Sequence, residues 1–233
     1  MPTVFVTGGA GFVGSHCAKA FAGAGWNVVS YDNLSRGFRD LVRWGPLIEG
    51  DLGDAETLTR ALTETKPDIV AHYAAFASVG ESMKKPGLYY RINVAGTLNL
   101  LEAMRAADVG KLIFSSSCAT YGVHDDLITE ETAQNPINPY GASKLTGERM
   151  IKDYAAAHGL RAVMLRYFNA AGSDPDRETG ERNYWDPRVI PLVIKGAMDG
   201  GFTFTLNGAG LPTRDGTCVR DYVHVCDLAD AHL

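Results

Sequence analysis

The chain has 233 residues, 45% hydrophobic and 21% charged, a mix that excludes a disordered, collagenous or coiled-coil protein and fits one large domain, or one domain with part of another. No apolar run approaches the ~18 residues of a membrane span, and the Met1–Val6 start lacks the basic and apolar regions of a signal peptide, so neither a membrane nor a leader is expected. A net charge of −5 argues against nucleic acid as a partner, yet allows a small anionic ligand gripped by one or two arginines.

Short apolar runs alternate with stretches of helical period. That pattern predicts an α/β fold: a doubly wound, Rossmann-like parallel sheet with helices on both faces. Thr3–Thr7 reads as the first strand and Phe12–Ala24 as the first helix, stopped by Gly25. Val28–Tyr31 and Leu47–Glu49 read as strands, Glu56–Thr65 as a helix ended near Pro67, and Asp68–Tyr73 as the fourth strand. Leu88–Ala107 reads as one long helix, with Leu98, Leu101 and Met104 at helical spacing. Lys111–Ser115 is the fifth strand. Tyr140–Ala157 is a helix with Pro139 at its first position, and Ala162–Tyr167 is the sixth strand. Beyond Asn169 the texture changes. Ser173–Pro187 reads as a long polar loop, Val189–Met198 as a helix, Thr203–Leu206 and Val219–Val225 as short strands, and Asp227–Leu233 as the opening turns of a helix. Residues 1–169 are expected to form a nucleotide-binding domain and 170–233 a small, incomplete substrate lobe.

Gly8, Gly11 and Gly14 lie between the first strand and the first helix, where a dinucleotide pyrophosphate meets bare N–H groups and the helix dipole. Gly8 allows the tight turn, Gly11 lets backbone approach phosphate, and Gly14 lets helix pack on strand. Asp32 ends the second strand. A carboxylate there accepts from both adenosine ribose hydroxyls and repels a 2′-phosphate, favouring NAD over NADP. Arg36, four residues on, could hold that phosphate and keeps NADP open. Asp51 ends the third strand, either facing an adenine amino group or serving as a plain turn residue.

Tyr140 and Lys144 stand four apart at a helix start, hence on one face. A tyrosine titrates near 10 and is a weak base at neutral pH; a neighbouring ammonium and the helix N-terminus are expected to lower that value. The pair suits proton removal from an alcohol during hydride transfer. Ser117, after the fifth strand, lies where parallel sheets place ligands and could bond the same substrate oxygen. Cys17, Cys118, Cys218 and Cys226 match neither a zinc site nor a disulfide framework, so reduced cytoplasmic thiols and no metal are expected.

These motifs, in this order, resemble the extended short-chain dehydrogenase/reductases. Longer stretches narrow the resemblance to the UDP-glucose (UDP-galactose) 4-epimerases: Thr7–His16, Asp32–Ser35, His72–Ala75, Val79–Ser82, Tyr89-Tyr90, Asn93, Gly96-Thr97, Asn138–Gly141, Leu165–Asn169 and Asp215–Tyr222. The resemblance implies a catalytic base in Tyr140, its partner and ribose anchor in Lys144, and a proton-orienting hydroxyl in Ser117. It implies an NAD site lined by Gly8, Gly11, Phe12, Val13, Gly14, Asp32, Asn33, Ser35, Asp51, Leu52, Tyr73, Ala74, Asn93, Tyr140, Lys144 and Tyr167. Ser117, Asn169 and Arg220 would hold the UDP-sugar, the last two its diphosphate. A homodimer is implied through the helices predicted over 88–107 and 140–157.

Relatives that remove water from a nucleotide sugar carry an Asp-Glu pair where this chain has Cys118-Ala119, which leaves that reaction without its acid and base. UDP-pentose 4-epimerases share Ser116–Gly122 and Pro136–Pro139 and stay open as an alternative. So do a promiscuous NAD-dependent sugar or alcohol dehydrogenase and a non-catalytic NAD-binding remnant. The departures from the resemblance are Arg188 before Val189-Ile190-Pro191, where the family has Asn or His, Ala77 in place of a lysine, and Asn207 in place of an aromatic. The family also continues past this length, so the resemblance implies an open substrate side and a shortened reading frame or a naturally short relative.

Overall fold

The computed structural model describes residues 1–124, 126–182, 188–200, 203–206, 208 and 210–233. Six strands, β1 (Thr3–Thr7), β2 (Asn27–Asp32), β3 (Leu47–Glu49), β4 (Ile69–His72), β5 (Lys111–Ser115) and β6 (Arg161–Leu165), pair in parallel in the order β3-β2-β1-β4-β5-β6. Strand order reverses between β1 and β4. A crevice therefore opens there at the strands' carboxyl ends, where parallel sheets bind ligands.

Alternation along β1 sorts the two cores. Val4 and Val6 pack with Cys17, Ala18 and Phe21 of α1 (Phe12–Gly23); Phe5 packs with Leu58 and Leu62 of α2 (Ala55–Thr65) on the other face. Asp54 caps α2 by accepting from the Thr57 N–H at 3.0 Å. The helical rod after β4 is more complex than one helix over 88–107. It comprises α3 (Val79–Lys84), α4 (Pro86–Tyr89), a π-helical turn over Tyr90–Ala95 and α5 (Gly96–Ala106). The wide turn aims Asn93 inward. Its amide takes the Phe76 N–H at 2.9 Å and donates to the Phe76 carbonyl at 3.0 Å and Ser143 Oγ at 2.9 Å.

Next comes α6 (Pro139–His158), capped by Asn138 accepting from the Gly141 N–H at 2.8 Å and ended by Gly159 at φ 70°. A second, two-stranded sheet pairs β7 (Asn169–Ala171) with β8 (Tyr222–His224); α7 (Val189–Asp199) lies between them in sequence. The strand expected over Thr203–Leu206 is absent. No described strand pairs with that segment, and Phe204 and Leu206 are exposed despite their alternation. The one expected over Val219–Val225 shrinks to β8, because Val225 already opens α8 (Val225–Ala231). Ala229 of α8 returns to the α1 core. Of the loop expected over 173–187, residues 183–187 lie outside the described residues, as does Asn207. All four cysteines are free. No helix among the described residues is long and apolar enough to cross a membrane.

One buried polar hub ties β5, β6 and α6 together. The Glu148 carboxylate is fully buried and accepts from Ser116 Oγ at 2.5 Å, Arg166 Nε at 2.8 Å, Arg166 Nη2 at 2.6 Å and Gln134 at 3.1 Å. Burial alone would raise its pKa; Arg166, Ser116 and Gln134 outweigh burial and hold it below the usual carboxylate range. Removing one partner of such a pair strands the other charge. Glu148→Ala is therefore expected to cost about 3–5 kcal/mol, read from the urea midpoint. A depressed carboxylate stabilises the fold above its unfolded pKa, and that contribution is lost as pH falls through the folded value. The gap between parent and variant therefore closes in acid, below about pH 4.

Candidate active site

The turn after β1 is shaped for close approach. Gly8 sits at φ +74°, and a Cβ there would meet the Ala74 nitrogen at 2.6 Å. A Cβ on Gly14 would meet the Gly8 carbonyl oxygen at 2.1 Å. Gly11 is the N-cap of α1 and supplies no side-chain cap, so the helix's first N–H groups face the crevice. His72 braces the turn from below, its ring nitrogens bonded to Thr7 Oγ1 at 2.6 Å and Thr97 Oγ1 at 3.0 Å. Thr97 donates its own proton to the Asn93 carbonyl at 2.6 Å, so it accepts from Nε2–H and leaves Nδ1 to accept from Thr7. Burial pushes the His72 pKa down to about 3, which keeps this brace neutral.

From that turn a cavity of about 350 Å³ runs toward β2 and β3. Asp32, Asn33, Ser35, Asp51, Leu52, Tyr73 and Ala74 line it, with Gly8 and Gly11 at its inner end. Asp32 is buried and accepts from the Ala10 N–H at 3.1 Å and the Leu34 N–H at 2.8 Å. Burial raises its pKa against the opposing pull of these two bonds. Asp51 acts as a turn residue, holding Asn33 Nδ2 and the Gly53 N–H, and it also lines the cavity. Asn93 does not line the cavity; its amide is consumed in bracing Phe76 and Ser143 beneath the wall.

A second cavity, about 320 Å³, continues from Gly8, Gly11 and Tyr73 in the other direction. Phe12, Val13 and Gly14 form one wall; Ser117, Tyr140, Lys144, Tyr167 and Asn169 converge on the rest. Ser117 caps the short turn Cys118–Thr120 by accepting from the Ala119 N–H at 3.1 Å. Tyr140 lies against the fully buried Tyr89, edge to face with ring centroids 6.4 Å apart. Tyr167 shares a 2.5 Å hydrogen bond with Ser115 Oγ. Arg220 stands apart: it is exposed, donates to the Val219 carbonyl at 3.1 Å, and meets Asn169 only in a wider outer cavity.

The electrostatics differ from the expected pairing. Burial pushes the Tyr140 pKa up rather than down; the Ser117 hydrogen bond and the Arg188 charge oppose that rise. Lys144 instead donates to the Ser115 carbonyl at 2.7 Å, and burial drags its own pKa down to about 8. Burial also raises Tyr167. Desolvation, which spacing along a helix does not reveal, outweighs the pairing in this pocket.

Arg188 was legible only as a departure from the family pattern. It donates to the Ala170 carbonyl at 3.0 Å, pairs with Glu181 at 3.3 Å and lines the catalytic cavity, where its charge favours both phenolates. Such an arrangement can take a proton from an alcohol at Tyr140 beside a long groove with a phosphate-sized, N–H-rich turn midway.

Comparison with known proteins shows the family and the fold. The family described as "NAD dependent epimerase/dehydratase family" matches residues 4–233. The UDP-glucose 4-epimerase of Rhizobium meliloti (strain 1021) is 48% identical over 231 residues, covering 99% of this chain and 70% of the relative. The structure of UDP-glucose 4-epimerase from Brucella ovis in complex with NAD superposes with a TM-score of 0.94 at 51% identity, covering 100% of this chain and 72% of that one. The enzyme of the same name from Bifidobacterium longum, in complex with NAD+ and UDP, gives 0.93 at 38% identity, covering 99% and 72%.

Proposed function

The chain belongs to the NAD dependent epimerase/dehydratase family, and from that premise we propose that it inverts C4 of a UDP-hexose, interconverting UDP-glucose and UDP-galactose through a transient 4-keto sugar. The observation that carries this reading is the convergence of Ser117, Tyr140 and Lys144 on a cavity continuous with the glycine turn. NAD fits the residues present. Its adenosine ribose suits Asp32, its pyrophosphate suits the uncapped start of α1, and its nicotinamide suits the wall holding Tyr167.

When bound, NAD supplies the acceptor and the donor of the hydride at C4. The chain does the rest. Tyr140 Oη takes the proton of the 4-hydroxyl and later returns it to the opposite alcohol. Ser117 Oγ, facing that phenol, holds the substrate oxygen in line. Lys144 leaves the Ser115 carbonyl to hold a ribose hydroxyl. Asn169 and Arg220 anchor the diphosphate while the ketone turns over. Gly8, Gly11, Phe12, Val13, Gly14, Asn33, Ser35, Asp51, Leu52, Tyr73 and Ala74 complete the cofactor wall, and Asn93 supports it from behind. We take residues 1–169 as the cofactor domain and 170–233 as the substrate lobe, whose final helix α8 packs back on α1. We also place the protein in the cytoplasm, in keeping with its free thiols. We propose a homodimer through α5 and α6, which pack against each other within the chain.

The test is a time course of UDP-galactose with purified protein and NAD, separating the sugar nucleotides while following absorbance of the reduced cofactor. UDP-glucose is expected without net NADH. Net NADH with a keto sugar and no UDP-glucose would replace the epimerase by a dehydrogenase. Turnover confined to UDP-pentoses would move the reading to that substrate class, and an inert sample would overturn it.

A further inference from the structure

Arg36 lines the same cavity as Asp32, on the loop that follows β2. With NAD placed as above, the ribose bound by Asp32 would carry the 2′-phosphate of NADP into this cavity, within the sweep of a long, flexible arginine. Arg36 is nevertheless committed elsewhere. Its Nη2 donates to Glu81 Oε2 at 2.5 Å, on α3. Its guanidinium carbon stands 3.6 Å from the centroid of the Phe76 ring. It makes no ion pair with Asp32, whose two carboxylate oxygens already take the Ala10 and Leu34 N–H groups.

Glu81 is itself built into place. Its N–H donates to Ser78 Oγ at 3.2 Å, and its carboxylate also accepts from Tyr89 Oη at 3.2 Å and from Lys85 Nζ at 3.4 Å. Tyr89 is fully buried and accepts the Ser78 N–H at 3.0 Å, so the acceptor of Arg36 rests on a fixed support. The guanidinium is thus held from two sides, by a charge-assisted bond and by an aromatic face.

We infer that Glu81 is a specificity-determining residue: by holding Arg36 against Phe76 it withholds the cavity-lining arginine of the loop after β2 from a 2′-phosphate, adding to the discrimination against NADP that Asp32 begins; Arg91 lines the same cavity from the π-helical turn and is untouched by Glu81. Specificity is a difference between two affinities, and denying the wrong ligand its partner serves it as well as improving contacts to the right one. The inference rests on reading the groove as an NAD site.

Calorimetric binding of NAD+ and NADP+ tests it in four proteins: the parent, Glu81→Gln, Arg36→Gln and the double variant. Gln at 81 keeps the shape and drops the charge that holds Arg36. The Kd ratio of NADP+ to NAD+ is expected to fall about tenfold in Glu81→Gln and to return to the parent value in the double variant. Arg36→Gln alone is expected to leave the ratio where it was, because Arg36 is already withheld; that arm decides the matter if Glu81→Gln fails to fold. An unmoved ratio in Glu81→Gln, a fall that survives in the double variant, or a rise of about tenfold in Arg36→Gln would overturn the inference. No NAD+ binding by the parent would overturn the cofactor reading itself, an outcome distinct from tight NAD+ binding with an unmoved ratio.

Discussion

Tyr140→Phe is expected to lower UDP-galactose turnover by about 10³-fold, the scale of a lost proton-transfer group, while the fold and NAD binding persist. Phenylalanine keeps the ring and its edge-to-face contact with Tyr89, so only the oxygen is lost. The same substitution should remove a pH dependence. Burial raises the Tyr140 phenol, which makes the basic form scarce at neutral pH. Turnover by the parent therefore rises with pH as the phenol ionises, until Lys144 begins to lose its proton near its depressed value of about 8. The variant's residual rate should lack the rising limb. Initial rates across pH 6–9, with circular dichroism as a control on folding, check both parts.

Lys144→Met is expected to cut turnover about 10²-fold or more and at the same time to stabilise the protein. The ammonium is buried, and its pKa falls from 10.5 to about 8, chiefly through lost hydration. That depression corresponds to about 3 kcal/mol held against the charged form. The hydrogen bond to the Ser115 carbonyl returns part of this in the parent and is lost in the variant. A net gain of about 1–2 kcal/mol at neutral pH follows. The pH dependence has a definite sign. Below about 8 both folded and unfolded chains carry the proton and the penalty is constant. Between about 8 and 10.5 the folded chain releases its proton first, so the parent's stability rises with pH and the variant's advantage narrows. Denaturant midpoints at pH 7 and pH 10 would show it; an equal advantage at both would contradict the buried-ammonium account.

What spacing along the chain can reveal, it revealed here. The glycine turn, Asp32 and the Tyr140–Lys144 pair depend on contacts within a few residues, and all of them lie on the groove. What escaped depends on partners far apart in sequence. Glu148 and Arg166 meet across 18 residues and Arg36 and Glu81 across 45, and nothing in either local pattern marks a charge as buried or paired. Lys144 lines the same cavity as Tyr140, and the desolvation that raises the phenol and lowers the ammonium is a property of the assembled pocket, which spacing along the helix does not carry. Asn93 was expected on the cofactor wall; the π-helical turn that swings it behind the wall leaves almost no trace in hydrophobic period. The strand β7 is three residues long and pairs with β8, which lies inside the strand read over Val219–Val225, across half a hundred intervening positions, too little signal for alternation to mark β7.

That wide turn also makes the chain unequally tolerant of two kinds of change. Most side chains over Tyr90–Ala95 face outward or sit half-covered, so replacing them one at a time leaves the rod's path intact. Losing a single residue is different. The turn would relax to ordinary α-helical pitch, and everything beyond it would rotate by about 100° relative to what precedes. Leu100, Leu101 and Met104 would swing off the sheet while Tyr89 stayed beneath Tyr140. Outside Asn93, this stretch is expected to tolerate a change of side chain better than a change of length, and gaps between related chains should fall in the flanking loops.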